Sequence, residues 1–230
     1  MFPVGDQNDH AGIAYVSILL VAGNVLAFFF QINRPEAAIQ AFIDTWGVVP
    51  RDFTQAPDIP PAPVSATLLT SMFLHAGWGH LGGNMLFLWI FGDNLEHRLG
   101  HLRFLLFYLL CGLTASAAHI LFNPASTIPA VGASGAISGV LGGYLLMFPR
   151  NRVYVLTWGG IFAVPAVFML GLWILMQIVS GIGTLAVAED VGGVAYMAHI
   201  GGFAAGLVCA PLFAVGRETA ITSRRGRRRI

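Results

Sequence analysis

Apolar residues gather into six long runs, each broken off by glycine, proline or charged residues. The runs predict helices near 12–32, 77–95, 102–122, 134–148, 158–180 and 194–215. Between the first two runs lies a polar segment, Asn33 to Ala76, whose Pro57, Pro60, Pro61 and Pro63 exclude a regular helix there. Within that segment, Glu36 to Trp46 has the apolar spacing of a short interfacial helix. The pattern predicts an all-α membrane protein. It reads as one membrane domain across residues 1–230, with a six-helix core at about 12–215 and a basic tail at 216–230.

Composition supports lipid as the main solvent. The chain is 56% hydrophobic and only 10% charged, whereas a soluble domain carries about 25% charged residues. Residues Met1 to His10 are acidic and lack the basic flank of a signal peptide, so the first run is expected to stay as a helix. Cys111 and Cys209 both sit in apolar runs and read as buried thiols, not as a disulfide or a metal pair.

The net charge of +1 hides an asymmetry, because all 12 basic residues are arginine and six of them lie between Arg217 and Arg229. A basic tail after an apolar helix reads as a cytoplasmic anchor, so no nucleic-acid partner is expected. Arg98 and Arg103 fall in the second loop and Arg150 and Arg152 in the fourth, while the third and fifth loops have no arginine. Six spans with both termini in the cytoplasm satisfy this distribution. The acidic residues Glu36, Asp44, Asp52, Asp58, Glu189 and Asp190 then face the other side.

Against this background a few polar residues stand out, because polar groups inside a bilayer are costly and mark function by default. His80 and Asn84 are four apart near the start of the second span, on one helix face. Ser134 opens the fourth span and His199 lies early in the sixth, so the predicted topology brings all four to one depth. The fourth run, 134–148, would rise only ~22 Å against a ~30 Å hydrocarbon core. A sunken helix start places free N–H groups at membrane depth, which is tolerated only against protein or a wet cavity. Gly135, Gly139 and Gly143 form one small stripe, and Ala198, Gly202 and Gly206 form another, so the two spans can approach closely.

A serine hydroxyl becomes a useful nucleophile when a histidine takes its proton. The oxyanion formed by its attack then needs donors, and Asn84, His80 and the Ser134 amide are of the right kind. Each residue alone has a plainer explanation. A lone serine bonds its own helix, a lone asparagine holds helices together, and a lone histidine is a structural donor. His75 reads as structural, His97 and His101 as a solvated pair and not a metal site, and His119 has no evident role. No HExxH zinc motif is present.

At these positions the chain resembles the rhomboid family of intramembrane serine proteases. The matching pieces are HAGWGHLGGNM (75–85), NLEHRLG (94–100), VGASGAISG (131–139) and AHIGGF (198–203). The resemblance implies a six-helix bundle with a membrane-embedded site. In it Ser134 would be the nucleophile, His199 the general base, and His80 and Asn84 the oxyanion donors beside the Ser134 amide. It implies no metal or organic cofactor, membrane-protein substrates with a transmembrane helix, and a bacterial cell membrane as the location. It also implies a mobile gate in helix five and the loop around Gly181 to Gly193.

Two departures stand out. Some members carry an aromatic residue four after the nucleophile; here that position is Ser138, so another group must orient His199, with Tyr196 nearby in sequence. The first-loop Trp-Arg pair of many members is absent, Trp46 and Arg51 being only neighbours. Two other classes compete with an active protease: a relative that binds transmembrane helices without cutting, and a transporter or channel with a polar cavity.

Overall fold

Residues 2–7, 12–55, 63–187 and 194–217 are described in the computed structural model. The tail arginines from Arg224 onward, Pro57, Pro60, Pro61, Asp58, Glu189, Asp190 and residues 188–193 of the expected gate loop lie outside them. Strand β1 spans Phe2–Asp6, followed by α1 at Tyr15–Ile32 and α2 at Glu36–Trp46. Short α3 (Pro50–Thr54) and α4 (Val64–Thr70) lead through a 3-10 turn at Ser71–Phe73. Then come α5 (Trp78–Leu99), α6 (His101–Phe122) and α7 (Ser134–Met147). The hairpin β2 (Arg152–Thr157) and β3 (Gly160–Pro165) precedes α8 (Ala166–Val187) and α9 (Tyr196–Ala214).

Among the described residues, four helices are long and apolar enough to cross a membrane: α1, α6, α8 over Ala166–Thr184, and α9. The chain is therefore a membrane protein with several apolar helices. Helix α5 has 22 residues but carries Asp93, Glu96 and Arg98 near its end, and α7 has only 14.

The all-α expectation needs correction, because β1, β2 and β3 form an antiparallel sheet in the order β1-β2-β3. The helix predicted from 158 begins at Ala166 instead, and residues 160–165 pair with β2. Strand β2 buries Val153 and Val155 and exposes Tyr154 and Leu156, a period of two. Gly160 turns the hairpin with φ +113°, which a side chain would strain. The apolar strand runs directly into an apolar helix, and hydrophobicity alone does not mark that junction.

Helix α7 is the axis of the bundle. Every residue from Gly135 to Tyr144 is buried, among α5, α6, α8 and α9. The two small-residue stripes meet there: a Cβ on Gly202 would lie 2.0 Å from the Gly135 carbonyl oxygen, and one on Gly206 2.0 Å from that of Gly139. Backbones this close leave no room for a methyl group, so glycine is required. Beside the seam, Leu88, Phe91, Leu95, Phe104, Phe107 and Tyr144 fill the core without solvent exposure.

The segment before α5 is tied down mainly through its backbone. Val48 and Ala130 exchange N–H···O bonds of 3.0 and 2.8 Å, the Arg51 N–H donates to the Ser126 carbonyl, and the Thr70 hydroxyl donates to the Trp46 carbonyl at 2.7 Å. Backbone pairing anchors this loop without the Trp-Arg pair. Helix α2 has the bounds expected from its apolar spacing. At the other end of the bundle, Arg103 donates to the Phe213 and Val215 carbonyls, and Arg98 to the Arg217 carbonyl. These guanidinium groups serve the open carbonyls at the end of α9.

Candidate active site

Ser134 is the first residue of α7, so its N–H has no acceptor within the helix. The preceding turn is set by Gly132, whose φ is +121° and whose N–H donates to the Ser71 carbonyl at 2.8 Å. A Cβ there would stand 2.7 Å from His80 Nε2 and 3.4 Å from Asn84 Nδ2. Only glycine accepts that backbone angle and also lets the loop lie against both side chains.

The α7–α9 seam brings Ser134 to His199, with Ser134 Oγ 2.8 Å from His199 Nε2. On the far side of the ring, His199 Nδ1 lies 2.7 Å from Gln177 Oε1 on α8. With the amide oxygen accepting, Nδ1 carries the proton and the Nε2 lone pair faces the serine hydroxyl. Trp173, one turn before Gln177, lies against the same imidazole with centroids 5.9 Å apart and planes 36° apart. The Ser138 hydroxyl donates back to the Ser134 carbonyl at 2.6 Å and not to the ring.

Tyr196 is therefore not the group that holds His199; its Cβ packs toward Gly181 instead. Gln177 escapes the hydrophobic pattern, although its signal is present: it is the one amide in the otherwise apolar run Ala166–Val179.

His80 and Asn84 lie across a cleft from His199. The His80 Nδ1 accepts the Ala76 N–H at 3.4 Å, leaving Nε2 toward Gly132. Asn84 is buried, and its Nδ2 has no hydrogen-bond partner among the described residues. An unpaired buried donor is costly unless something else occupies it in use. Ser134, His199, His80, Asn84 and Trp173 line one open cavity of about 760 Å³, mostly apolar elsewhere. The structure thus brings all four residues singled out by the sequence into one cleft.

The other histidines separate by role. His75 is fully buried, and its backbone is clamped by both ends of the Gln31 amide at 2.7 and 3.1 Å. His101 is not simply solvated: its Nδ1 bonds the buried Glu96 carboxylate at 2.5 Å. His97 Nδ1 donates to the Asp93 carbonyl, and His119 meets Asn123. Among the described residues no cluster of metal-ligating side chains occurs.

A helical membrane protein with a serine and histidine in contact at the wall of an open cleft is a definite structural class. The profile of the Rhomboid domain matches residues 64–215, about two-thirds of the chain, and the chain belongs to that family. It is 47% identical over 85 residues to Rhomboid protease GluP of Bacillus subtilis, covering 37% of this chain and 16% of that protein. It is 30% identical over 146 residues to Rhomboid protein 1, mitochondrial, of Saccharomyces cerevisiae, covering 62% and 40%. It is 36% identical over 141 residues to RHOMBOID-like protein 4 of Arabidopsis thaliana, covering 61% and 32%. The matched region spans less than half the length of each of these three relatives.

Proposed function

We propose that this chain is an intramembrane serine endopeptidase that hydrolyses peptide bonds in or near the transmembrane segments of other membrane proteins. The observation that carries this reading is the 2.8 Å contact between Ser134 Oγ and His199 Nε2 at the cleft wall. Family membership and the names of relatives such as Rhomboid protease GluP support it.

In this mechanism His199 Nε2 takes the hydroxyl proton as Ser134 Oγ attacks the scissile carbonyl carbon. The carbonyl oxygen gains negative charge and sits toward Asn84 Nδ2, His80 Nε2 and the Ser134 N–H. His199 then gives the proton to the departing amine, leaving a serine ester. Water enters the cleft, gives a proton to His199 and attacks the ester, which frees the acid and restores the hydroxyl. No metal takes part. The dyad has a neutral acceptor, Gln177, where a triad would place a carboxylate.

Six helices, α1 and α5 to α9, serve as spans in this reading. Helix α7 rises only ~21 Å, which sets Ser134 below one membrane surface. Arg98, Arg103, Arg150, Arg152 and Arg217 fall at the opposite end, which the positive-inside rule assigns to the cytoplasm with both termini. Bacterial relatives such as GluP favour a bacterial cell membrane, although chloroplast and mitochondrial relatives share the domain.

A fluorophosphonate probe tests the assignment. Detergent-solubilised wild type should be labelled, and Ser134→Ala and His199→Ala should not. Equal labelling of wild type and Ser134→Ala removes Ser134 as the nucleophile. With a single-pass substrate, the cut should map to the end of its span away from the arginine-rich side.

A further inference from the structure

The His199 ring touches three helices. Its own backbone belongs to α9, its Nε2 meets α7 at Ser134, and its Nδ1 and one flank meet α8 at Gln177 and Trp173. Trp173 and Gln177 are four residues apart, so one face of α8 presents both. The tilted indole against its flank limits motion of the ring, and the amide oxygen selects which nitrogen holds the proton. Ser138 is turned back onto its own helix and supplies neither constraint.

We propose that Gln177 is a positioning residue for the base: its side-chain oxygen holds His199 in the Nδ1–H tautomer, with the Nε2 lone pair on Ser134. This rests on the reading of Ser134 and His199 as nucleophile and base. A neutral imidazole has two tautomers, and only one can accept the serine proton at Nε2. A carboxylate at this place would do the same at the cost of desolvating a charge among apolar helices, whereas an amide avoids that cost. The amide has to come from α8, because α7 and α9 supply no acceptor to Nδ1 among the described residues.

Three full-length proteins decide the matter: wild type, Gln177→Leu, which removes the acceptor at similar size, and Gln177→Glu, which keeps it. The rate of Ser134 phosphonylation is followed from pH 5 to 9, and the His199 tautomer is read by side-chain ¹⁵N NMR on histidine-labelled protein, assigned with His199→Ala. Gln177→Leu should fold with wild-type thermal stability to within a few degrees, lose at least ~10-fold in labelling rate, and show a mixture of tautomers. Gln177→Glu should recover most of the rate, with the rising limb of its pH profile moved up by about one unit or more, because a nearby carboxylate favours the protonated ring.

A wild-type ring in the Nε2–H form overturns the proposal, and so does a Leu variant that keeps both the rate and the Nδ1–H tautomer. Equal losses in the Leu and Glu variants with an unmoved pH profile overturn it as well. If Ser134→Ala labels like wild type, the nucleophile assignment falls, while the NMR result still reports on Gln177 by itself.

Discussion

Two buried polar groups on the same helix behave in opposite ways. Glu96, near the end of α5, is fully buried and completely bonded. Its oxygens accept the N–H groups of Val16 and Ser17 at 2.8 and 2.7 Å, the Ser17 hydroxyl at 2.8 Å and His101 Nδ1 at 2.5 Å. A carboxylate at the first turn of α1 also meets the positive end of that helix. Asn84, twelve residues earlier, is also buried, yet its Nδ2 is unpaired and borders a cavity. Glu96, which joins two helices, uses all its bonds inside the chain, whereas Asn84 leaves a donor free at the cleft. Burial alone does not separate the two, and neither does an open bond, since buried His75 has both ring nitrogens unpaired among the described residues; what marks Asn84 is an open donor at the edge of a cavity.

That contrast can be broken by measurement. Glu96→Ala should be the most damaging change: it strands two backbone donors and a hydroxyl at the α1 start, for a loss of ~3–5 kcal/mol in unfolding free energy. Unfolding in detergent against denaturant would read it, and a loss below 1 kcal/mol would end the structural role of Glu96. Asn84→Ala should do the reverse. Its labelling or cleavage rate should fall ~10²–10³-fold with the melting temperature almost unchanged. A drop in stability as large as that of Glu96→Ala would place Asn84 with the structural groups.

Gly206→Ala lies between them. Its new methyl group has the Gly139 carbonyl 2.0 Å away, and backbone cannot move aside as a side chain can. A loss of ~1–3 kcal/mol is expected, together with lower activity, because the same seam sets the Ser134–His199 distance. Stability and rate measured on one preparation would show whether the two fall together.

The smallest effect concerns Asp6, where the arginine-rich end closes over the bundle. Its Oδ2 accepts the Tyr144 hydroxyl and the Asn94 amide. Burial pushes its carboxyl from 3.8 to about 7, with the Asp93 charge adding to the rise and the two hydrogen bonds opposing it. Asp6 therefore holds its proton more tightly folded than unfolded. Its contribution to stability is complete below pH 3.8 and is lost as pH rises through about 7. Asp6→Asn should flatten this fall between pH 4 and 7; an unchanged pH dependence would show that another group titrates there.

Much of this was legible before the fold. The runs gave the apolar helices, the spacing in Glu36–Trp46 gave α2, and the two glycine stripes foretold a close seam. Ser134, His199, His80 and Asn84 were legible because a polar residue in a lipid-facing run needs a reason. The hairpin was not, since its strands are as apolar as the helix they enter. Nor was the saturation of Glu96, whose partners on α1 lie about 80 residues away in sequence.

The sequence by itself determined that this chain lives in lipid, which residues are small enough to let helices touch, and which polar groups stand where lipid would exclude them. These follow from local composition, because hydrophobicity and side-chain size act residue by residue. Only the tertiary structure decided that Ser134 and His199 lie 2.8 Å apart, that Gln177 and not Tyr196 meets the imidazole, and that Asn84 is left open while Glu96 is closed. Those facts depend on which helix faces which, and a hydrogen bond forms or fails on ångström distances that no single segment encodes.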